Sequence, residues 1–172
     1  MRKDVVRIIC KGGIGILPTD TIYGLVGSAL KPETVLRIYR VRKRKLKKPM
    51  IILIGSERDL LRFRVEISQG ARKIIRKLWP GPVSIILPCS HKKFSYLHRG
   101  TKTLAFRLPR DAVLRRLLKR TGPLVAPSAN REGERPATTI QRARQYFGDR
   151  VDFYEDAGAL RSLPSIVVQI KR

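Results

Sequence analysis

Hydroxyls, guanidiniums and amides gather in three polar segments set into otherwise apolar surroundings, and such side chains are the ones with which proteins grip phosphate and carboxylate. The first, Pro18-Thr19-Asp20-Thr21-Ile22-Tyr23-Gly24-Leu25, carries two threonine hydroxyls, a tyrosine ring with a polar tip and a glycine that permits close backbone approach. It follows directly on a short apolar run, and α/β sheets bind ligands beyond the carboxyl ends of their strands. An ordinary turn with capping hydroxyls has the same composition, so both readings stand. The second segment covers 37–48, where Arg37, Arg40, Arg42, Lys43, Arg44, Lys45, Lys47 and Lys48 make eight cations in twelve residues. A solvated face explains such a run, and so does a helix end that meets a triphosphate or an RNA backbone. The third, Pro123-Leu124-Val125-Ala126-Pro127-Ser128-Ala129-Asn130, delivers Ser128 and Asn130 from a short strand into a loop, where both can donate to phosphate or ribose oxygens.

Other chemistries find little support. His91 and His98 sit in a polar stretch, 90–102, that reads as a loop, and neither neighbours a nucleophile motif of the Ser-His or Cys-His kind. There is no GxxxxGK[ST] loop and no GxGxxG after a strand, so a nucleotide site must be built differently. Cys10 and Cys89, each in or beside an apolar run, read as reduced core thiols of a cytoplasmic protein rather than zinc ligands. No apolar stretch approaches the roughly 20 residues of a membrane span. The basic start Met1-Arg2-Lys3-Asp4 leads into an apolar run that stops at Lys11 without a small-residue cleavage site, which does not read as a secretory signal.

The balance of 38 Lys+Arg against 13 Asp+Glu leaves a formal charge of +25 on 172 residues. Each phosphate such a surface neutralises releases counterions, so RNA is the obvious polyanionic partner.

Positioning these segments falls to alternating helices and strands without a linker or repeat, which predicts one domain over 1–172. Helices are expected over 5–11, 32–43 (opened by Pro32), 68–78 (capped by Ser68), 111–120 and 138–147. Strands are expected over 14–17, 50–54, 83–87, 103–107, 124–126, 151–154 and 165–170. Such intermixing argues for an α/β or α+β fold around one twisted, mixed sheet flanked by helices.

Taken with their spacing, the segments resemble the YrdC-like family of threonylcarbamoyl-AMP synthases. The resemblance runs from about Ile14 to Val168 and rests on five ordered motifs: PTDTIYGL at 18–25, LWPGPVSIIL at 78–87, LAFRLP at 104–109, PLVAPSAN at 123–130 and PSIVV at 164–168. It implies a mostly parallel-to-mixed sheet with a large electropositive cavity for ATP and L-threonine. The implied chemistry needs no protein nucleophile: bicarbonate and the threonine amine form a carbamate, whose carboxylate attacks the α-phosphate of ATP and expels pyrophosphate, with Mg2+ assisting.

Carried over one residue at a time, the resemblance puts Thr19, Tyr23, Arg107 and Ser165 around threonine, with Arg107 on its carboxylate. It puts Arg42, Arg44, Thr103, Ser128 and Asn130 around ATP, where Arg42 stands in the lysine position of a K-x-R signature. Lys43, Lys45, Lys47 and Lys48 remain as candidates for RNA. Two departures stand out: Pro136 occupies the place of a nucleotide-contacting serine and offers neither hydroxyl nor N–H, and Glu132 brings a carboxylate close to the expected phosphates. The implied function is synthesis of threonylcarbamoyladenylate for tRNA modification, with tRNA and threonylcarbamoyl-transfer proteins as further partners. The alternatives are a non-catalytic YrdC-like relative that binds double-stranded or structured RNA, and a carbamoyl-transfer relative like the domain inside hydrogenase-maturation carbamoyltransferases.

Overall fold

In the computed structural model, which describes residues 3–170, eight short strands line up as one mixed sheet in the order β7-β1-β2-β6-β3-β5-β4-β8. Met1 and Arg2 of the basic start therefore lie outside the described residues. The strands are β1 (Gly15–Pro18), β2 (Tyr23–Ser28), β3 (Ile52–Leu53), β4 (Val83–Pro88), β5 (Thr103–Arg107), β6 (Leu124–Val125), β7 (Phe153–Tyr154) and β8 (Ile166–Gln169). Between them come α1 (Lys3–Cys10), α2 (Pro32–Arg42), α3 (Gln69–Leu78), the four-residue α4 (Ser95–His98), α5 (Ala112–Thr121) and α6 (Ile140–Phe147). Four of the seven strand pairings are antiparallel, so the sheet is mixed as expected but not mostly parallel.

Helix ends follow local chemistry. Ser68, Asp111 and Thr139 each accept a backbone N–H three residues on, capping α3, α5 and α6. Apolar residues at helical spacing then choose the buried face: Ala71 and Ile75 on α3, and Leu114, Leu117 and Leu118 on α5. The α2 stripe is Val35, Ile38, Tyr39 and Arg42, so an arginine occupies the last position of an apolar face. Two apolar clusters result. One gathers α2, α3 and α6 around Phe63, whose ring lies 5.3 Å from Phe94 and 5.1 Å from Phe106. The other packs α1 and α5 against Leu17, Val26, Leu53 and Leu124.

Several expectations change. Residues 23–25, read as the end of the polar segment 18–25, begin the fully buried strand β2, which the sequence did not signal, and the apolar 50–54 pairs as a strand only over Ile52–Leu53. Residues Glu57–Phe63 form a 3-10 helix that sequence periodicity did not signal. Cys89 is buried, but Cys10 is exposed at the end of α1, away from the Val5 and Ile9 face. His98 is buried in α4 rather than sitting in a loop.

Because β7 and β8 occupy opposite edges, residues 155–165 must cross the width of the sheet. Seven strand spacings amount to roughly 34 Å on a flat sheet, close to the limit that about eleven extended residues can reach. The crossing is a strap exposed through most of its length, and it brings Pro164 and Ser165 to the cavity lined by β2, β3 and β5.

α2 can lie against β2 because Gly27 has no side chain: a Cβ there would meet Thr34 Cγ2 at 2.6 Å and Ile14 Cγ2 at 2.9 Å. Gly27→Ala should therefore lower unfolding stability by about 1–3 kcal/mol, measured by urea denaturation.

Candidate active site

The loop between β1 and β2 is closed by its own hydroxyls. Thr19 Oγ1 donates to the Ile22 carbonyl at 2.7 Å and accepts the N–H groups of Thr21 and Ile22 at 3.2 and 3.3 Å. Thr21 Oγ1 lies 3.0 Å from Thr19 Oγ1 and accepts from Arg107 Nη1 at 2.9 Å. Because the Ile22 carbonyl can only accept, the Thr19 proton is committed to it, which leaves Thr21 as the donor in the Thr19–Thr21 contact.

Arg107 ends β5 and is 4% exposed. It is the register partner of Leu53 on β3, so both side chains leave the same face of the sheet. Its Nη2 lies 3.0 Å from Asp20 Oδ1, and Asp20 Oδ2 accepts the Arg110 N–H at 2.9 Å. The Nε of Arg107 is buried without a hydrogen-bond partner, and so is Asp20 Oδ1, whose approach to Nη2 is an ion pair out of hydrogen-bond alignment. Burial lowers the Arg107 pKa, and the charge of Asp20 opposes that change.

Arg42 makes the other buried cationic centre, at 3% exposure. Its Nε donates to the Asn130 carbonyl at 2.9 Å, and its Nη2 donates to Asn130 Oδ1 at 2.9 Å and Ser128 Oγ at 3.2 Å. Asn130 Nδ2 donates in turn to the carbonyls of Arg131 and Glu134, so its amide is fully engaged in shaping the loop. Burial, with Arg44 nearby, lowers the Arg42 pKa to about 10, which leaves it charged at neutral pH. Arg42 thus shapes the 128–130 loop, whereas Ser128, which lines the cavity, keeps its hydroxyl proton available.

After Arg42 the chain turns through Lys43, whose φ of 53° caps α2, into a cationic loop. Arg44 donates to the carbonyls of Lys48 and Pro49 at 3.2 and 3.0 Å. Glu132 holds this loop from across the site: its carboxylate accepts the Lys45 N–H and the Lys48 ammonium, both at 2.6 Å. Those two donors bring the Glu132 pKa down to about 2. Of the four lysines considered for RNA, Lys48 is thereby paired, while Lys43, Lys45 and Lys47 have exposed side chains. Midway along α2, Arg37 turns away to pair with Asp152 at 2.6 and 2.9 Å.

Tyr23 is fully buried with its hydroxyl tied to the strap, donating toward the Gly158 carbonyl at 2.8 Å and accepting the Ala157 N–H at 2.9 Å. Burial, together with Asp156, raises its pKa. Farther along the strap, Ser165 Oγ lies 3.0 Å from Ser84 Oγ.

Together Thr19, Thr21, Tyr23, Arg107, Ser128 and Ser165 line a cavity of about 120 Å³, walled by Ile22, Ile51, Leu53, Ala126 and Pro164. That space equals about four water molecules and suits a small amino acid, whereas a drug-sized ligand takes about 300 Å³ or more. A nucleotide would extend outside it. Thr103 stands apart, at the opposite end of β5 from Arg107 and roughly 13 Å along the strand. The carboxylates of Asp20 and Glu132 already face cations and are not free to serve as Mg2+ ligands. Among the described residues no three or more His, Cys, Asp or Glu side chains group as a metal site. No helix among them is long and apolar enough to cross a membrane.

Sequence reasoning found most of the lining and counted the Thr21 hydroxyl among the candidate groups without assigning it a ligand, but gave Asp20 no role. The spacing 35, 38, 39, 42 on α2 was the legible signal that Arg42 turns inward.

A mixed sheet with an amino-acid-sized cavity, a buried arginine and a cationic loop defines a small-ligand-binding α/β protein. The model for Sua5/YciO/YrdC proteins, described as "Telomere recombination", matches residues 7–172, and the chain belongs to this family. It is 31% identical over 154 residues to a threonylcarbamoyl-AMP synthase of Pyrococcus abyssi, covering 89% of this chain and 45% of that protein. A threonylcarbamoyl-AMP synthase of Halorhodospira halophila is 30% identical over 143 residues, which cover 83% of this chain and 75% of the relative. Among solved structures, P. abyssi Sua5 complexed with L-threonine superposes with a TM-score of 0.90 at 30% identity, over 97% of this chain and 50% of that one. The chain therefore spans about half the length of the archaeal relative.

Two consequences follow from these ties. Arg42→Lys keeps the charge but cannot reproduce three donated contacts, so amide exchange in residues 128–134 should rise by about tenfold, read by NMR. Because the Glu132 pKa is depressed, its hold on the Lys45 N–H is complete above the ordinary value of 4.5 and fades as pH falls toward about 2. Chemical shifts of the Lys45 amide should follow that window in the wild type and show no such titration in Glu132→Gln.

Proposed function

We propose that the chain is a threonylcarbamoyl-AMP synthase, which converts L-threonine, bicarbonate and ATP to L-threonylcarbamoyladenylate and pyrophosphate for tRNA modification. The observation that carries this reading is the small cavity in which a buried arginine sits beside apolar walls, next to a cationic loop and the 128–130 loop. The threonine carboxylate meets Arg107, its methyl faces Ile51, Leu53 and Ala126, and the hydroxyls of Ser128 and Ser165 serve its polar atoms. Thr19 and Tyr23 contribute walls, since their hydroxyls are engaged within the protein.

The threonine amine, once deprotonated, attacks the bicarbonate carbon and water leaves, giving a carbamate. A carbamate oxygen then attacks the α-phosphorus of ATP, forming the mixed anhydride and releasing pyrophosphate. No side chain bonds covalently to substrate. The protein positions two reactants and meets the triphosphate with Arg44, on the loop that follows α2. ATP enters as its magnesium complex, with the ion on phosphate oxygens and water rather than on protein carboxylates. The adenylate is consumed by threonylcarbamoyl-transfer proteins acting on tRNA, and the reading takes the cytoplasm as its location.

Pyrophosphate release from ATP should require both threonine and bicarbonate, and Arg107→Ala should lose at least about 100-fold in kcat/KM for threonine. An intact wild-type fold without threonine-dependent turnover refutes the assignment. The exposed lysines favour a second property, association with tRNA: binding should weaken steeply from 50 to 200 mM salt, and neutralising Lys43, Lys45 and Lys47 should reduce the salt slope in a filter-binding assay.

A further inference from the structure

A long side chain grips a carboxylate selectively only when its guanidinium is held still. Arg107 is held from two directions, by Asp20 Oδ1 at 3.0 Å and by Thr21 Oγ1 at 2.9 Å. Both anchors are themselves fixed. Asp20 Oδ2 accepts the Arg110 N–H at 2.9 Å, and Thr21 Oγ1 lies 3.0 Å from Thr19 Oγ1, which in turn donates to the Ile22 carbonyl at 2.7 Å. The proton order along Arg107, Thr21, Thr19 and Ile22 is thus set by the two ends of the chain, an arginine that can only donate and a carbonyl that can only accept.

Asp20 does not line the cavity, whereas Arg107 and Thr21 do. Its charge cancels that of Arg107, so recognition at the cavity floor depends on where the remaining N–H groups point rather than on an uncompensated positive charge. The anchoring leaves capacity for a ligand, because Nη1 and Nη2 each carry a second N–H beyond the one directed at Thr21 or Asp20.

We propose that Asp20 and Thr21 are positioning residues for Arg107, fixing the guanidinium orientation that sets affinity for the amino-acid carboxylate. The proposal rests on the synthase reading for its substrate, but the geometry it asserts can be tested without turnover.

The test compares the wild type with Asp20→Asn, Asp20→Glu and Thr21→Val in pyrophosphate release with threonine, bicarbonate and ATP. The KM for threonine should rise about tenfold to 100-fold in Asp20→Asn and about tenfold in Thr21→Val, since each loses or weakens a contact to a charged group. Asp20→Glu, which keeps the charge, should fall between Asp20→Asn and wild type, and the KM for ATP should stay within about twofold throughout. A merely structural role would lower melting temperature and active fraction while leaving the threonine KM unchanged, and that result overturns the proposal.

The second readout is the Arg107 Nε–H resonance, assigned by its loss in Arg107→Lys. It should be sharp and slowly exchanging in the wild type and broadened or faster to exchange in Asp20→Asn and Thr21→Val. If the wild type releases no pyrophosphate, the synthase reading fails and this resonance decides alone: equal sharpness in wild type and variants overturns the positioning role. Should Asp20→Asn not fold, Thr21→Val carries both measurements, because it removes a hydroxyl with little change of shape.

Discussion

Arg42 is the tie on which the arrangement of the site depends. Its guanidinium reaches from the end of α2 to the 128–130 loop and meets three acceptors there. Burying a cation in a folded chain is costly unless its donors are matched, and here the matching acceptors come from the loop being shaped. The helix end, the cationic loop that follows it and the Ser128 corner thereby become one unit. Glu132 fastens the same unit from its outer side through Lys45 and Lys48.

A division of labour among polar groups emerges from the hydrogen bonds. Thr19, Tyr23 and Asn130 use their polar atoms to close loops, and Asp20 offsets the charge of Arg107. What remains open toward a ligand is small in number: an arginine donor and the hydroxyls of Ser128 and Ser165. A site of that kind works by preorganisation, since groups that are already oriented need not be ordered when substrate arrives. The strap over 155–165 belongs to the same logic. Sheet order forces it across the molecule, and Tyr23 pins its start so that Ser165 arrives beside the cavity.

Local patterns were readable where one residue's neighbours in sequence decide its fate. The cap at Ser68 and the helical stretches 68–78 and 111–120 need only local helical geometry to be recognised. β2 escaped because a strand buried on both faces shows no alternation, and its start was hidden in the polar segment 18–25. Cys10 misled for a related reason: an apolar neighbourhood in sequence does not say which side of a helix a residue occupies, and Cys10 lies on the outer side of α1.

The sequence by itself determined the mixture of helices and strands, the family resemblance and most residues that line the cavity, because motifs and periodicity are properties of short stretches. Tertiary structure alone decided which of those polar atoms are still available. Asp20 and Arg107 are far apart in the chain, as are Glu132 and Lys48, and their charges meet only after β1, β5 and the 128–134 loop have been brought together. Hydrogen-bond valence is finite, so a hydroxyl or carboxylate that serves the fold is lost to the ligand. That allocation depends on distances between segments, which no local pattern encodes.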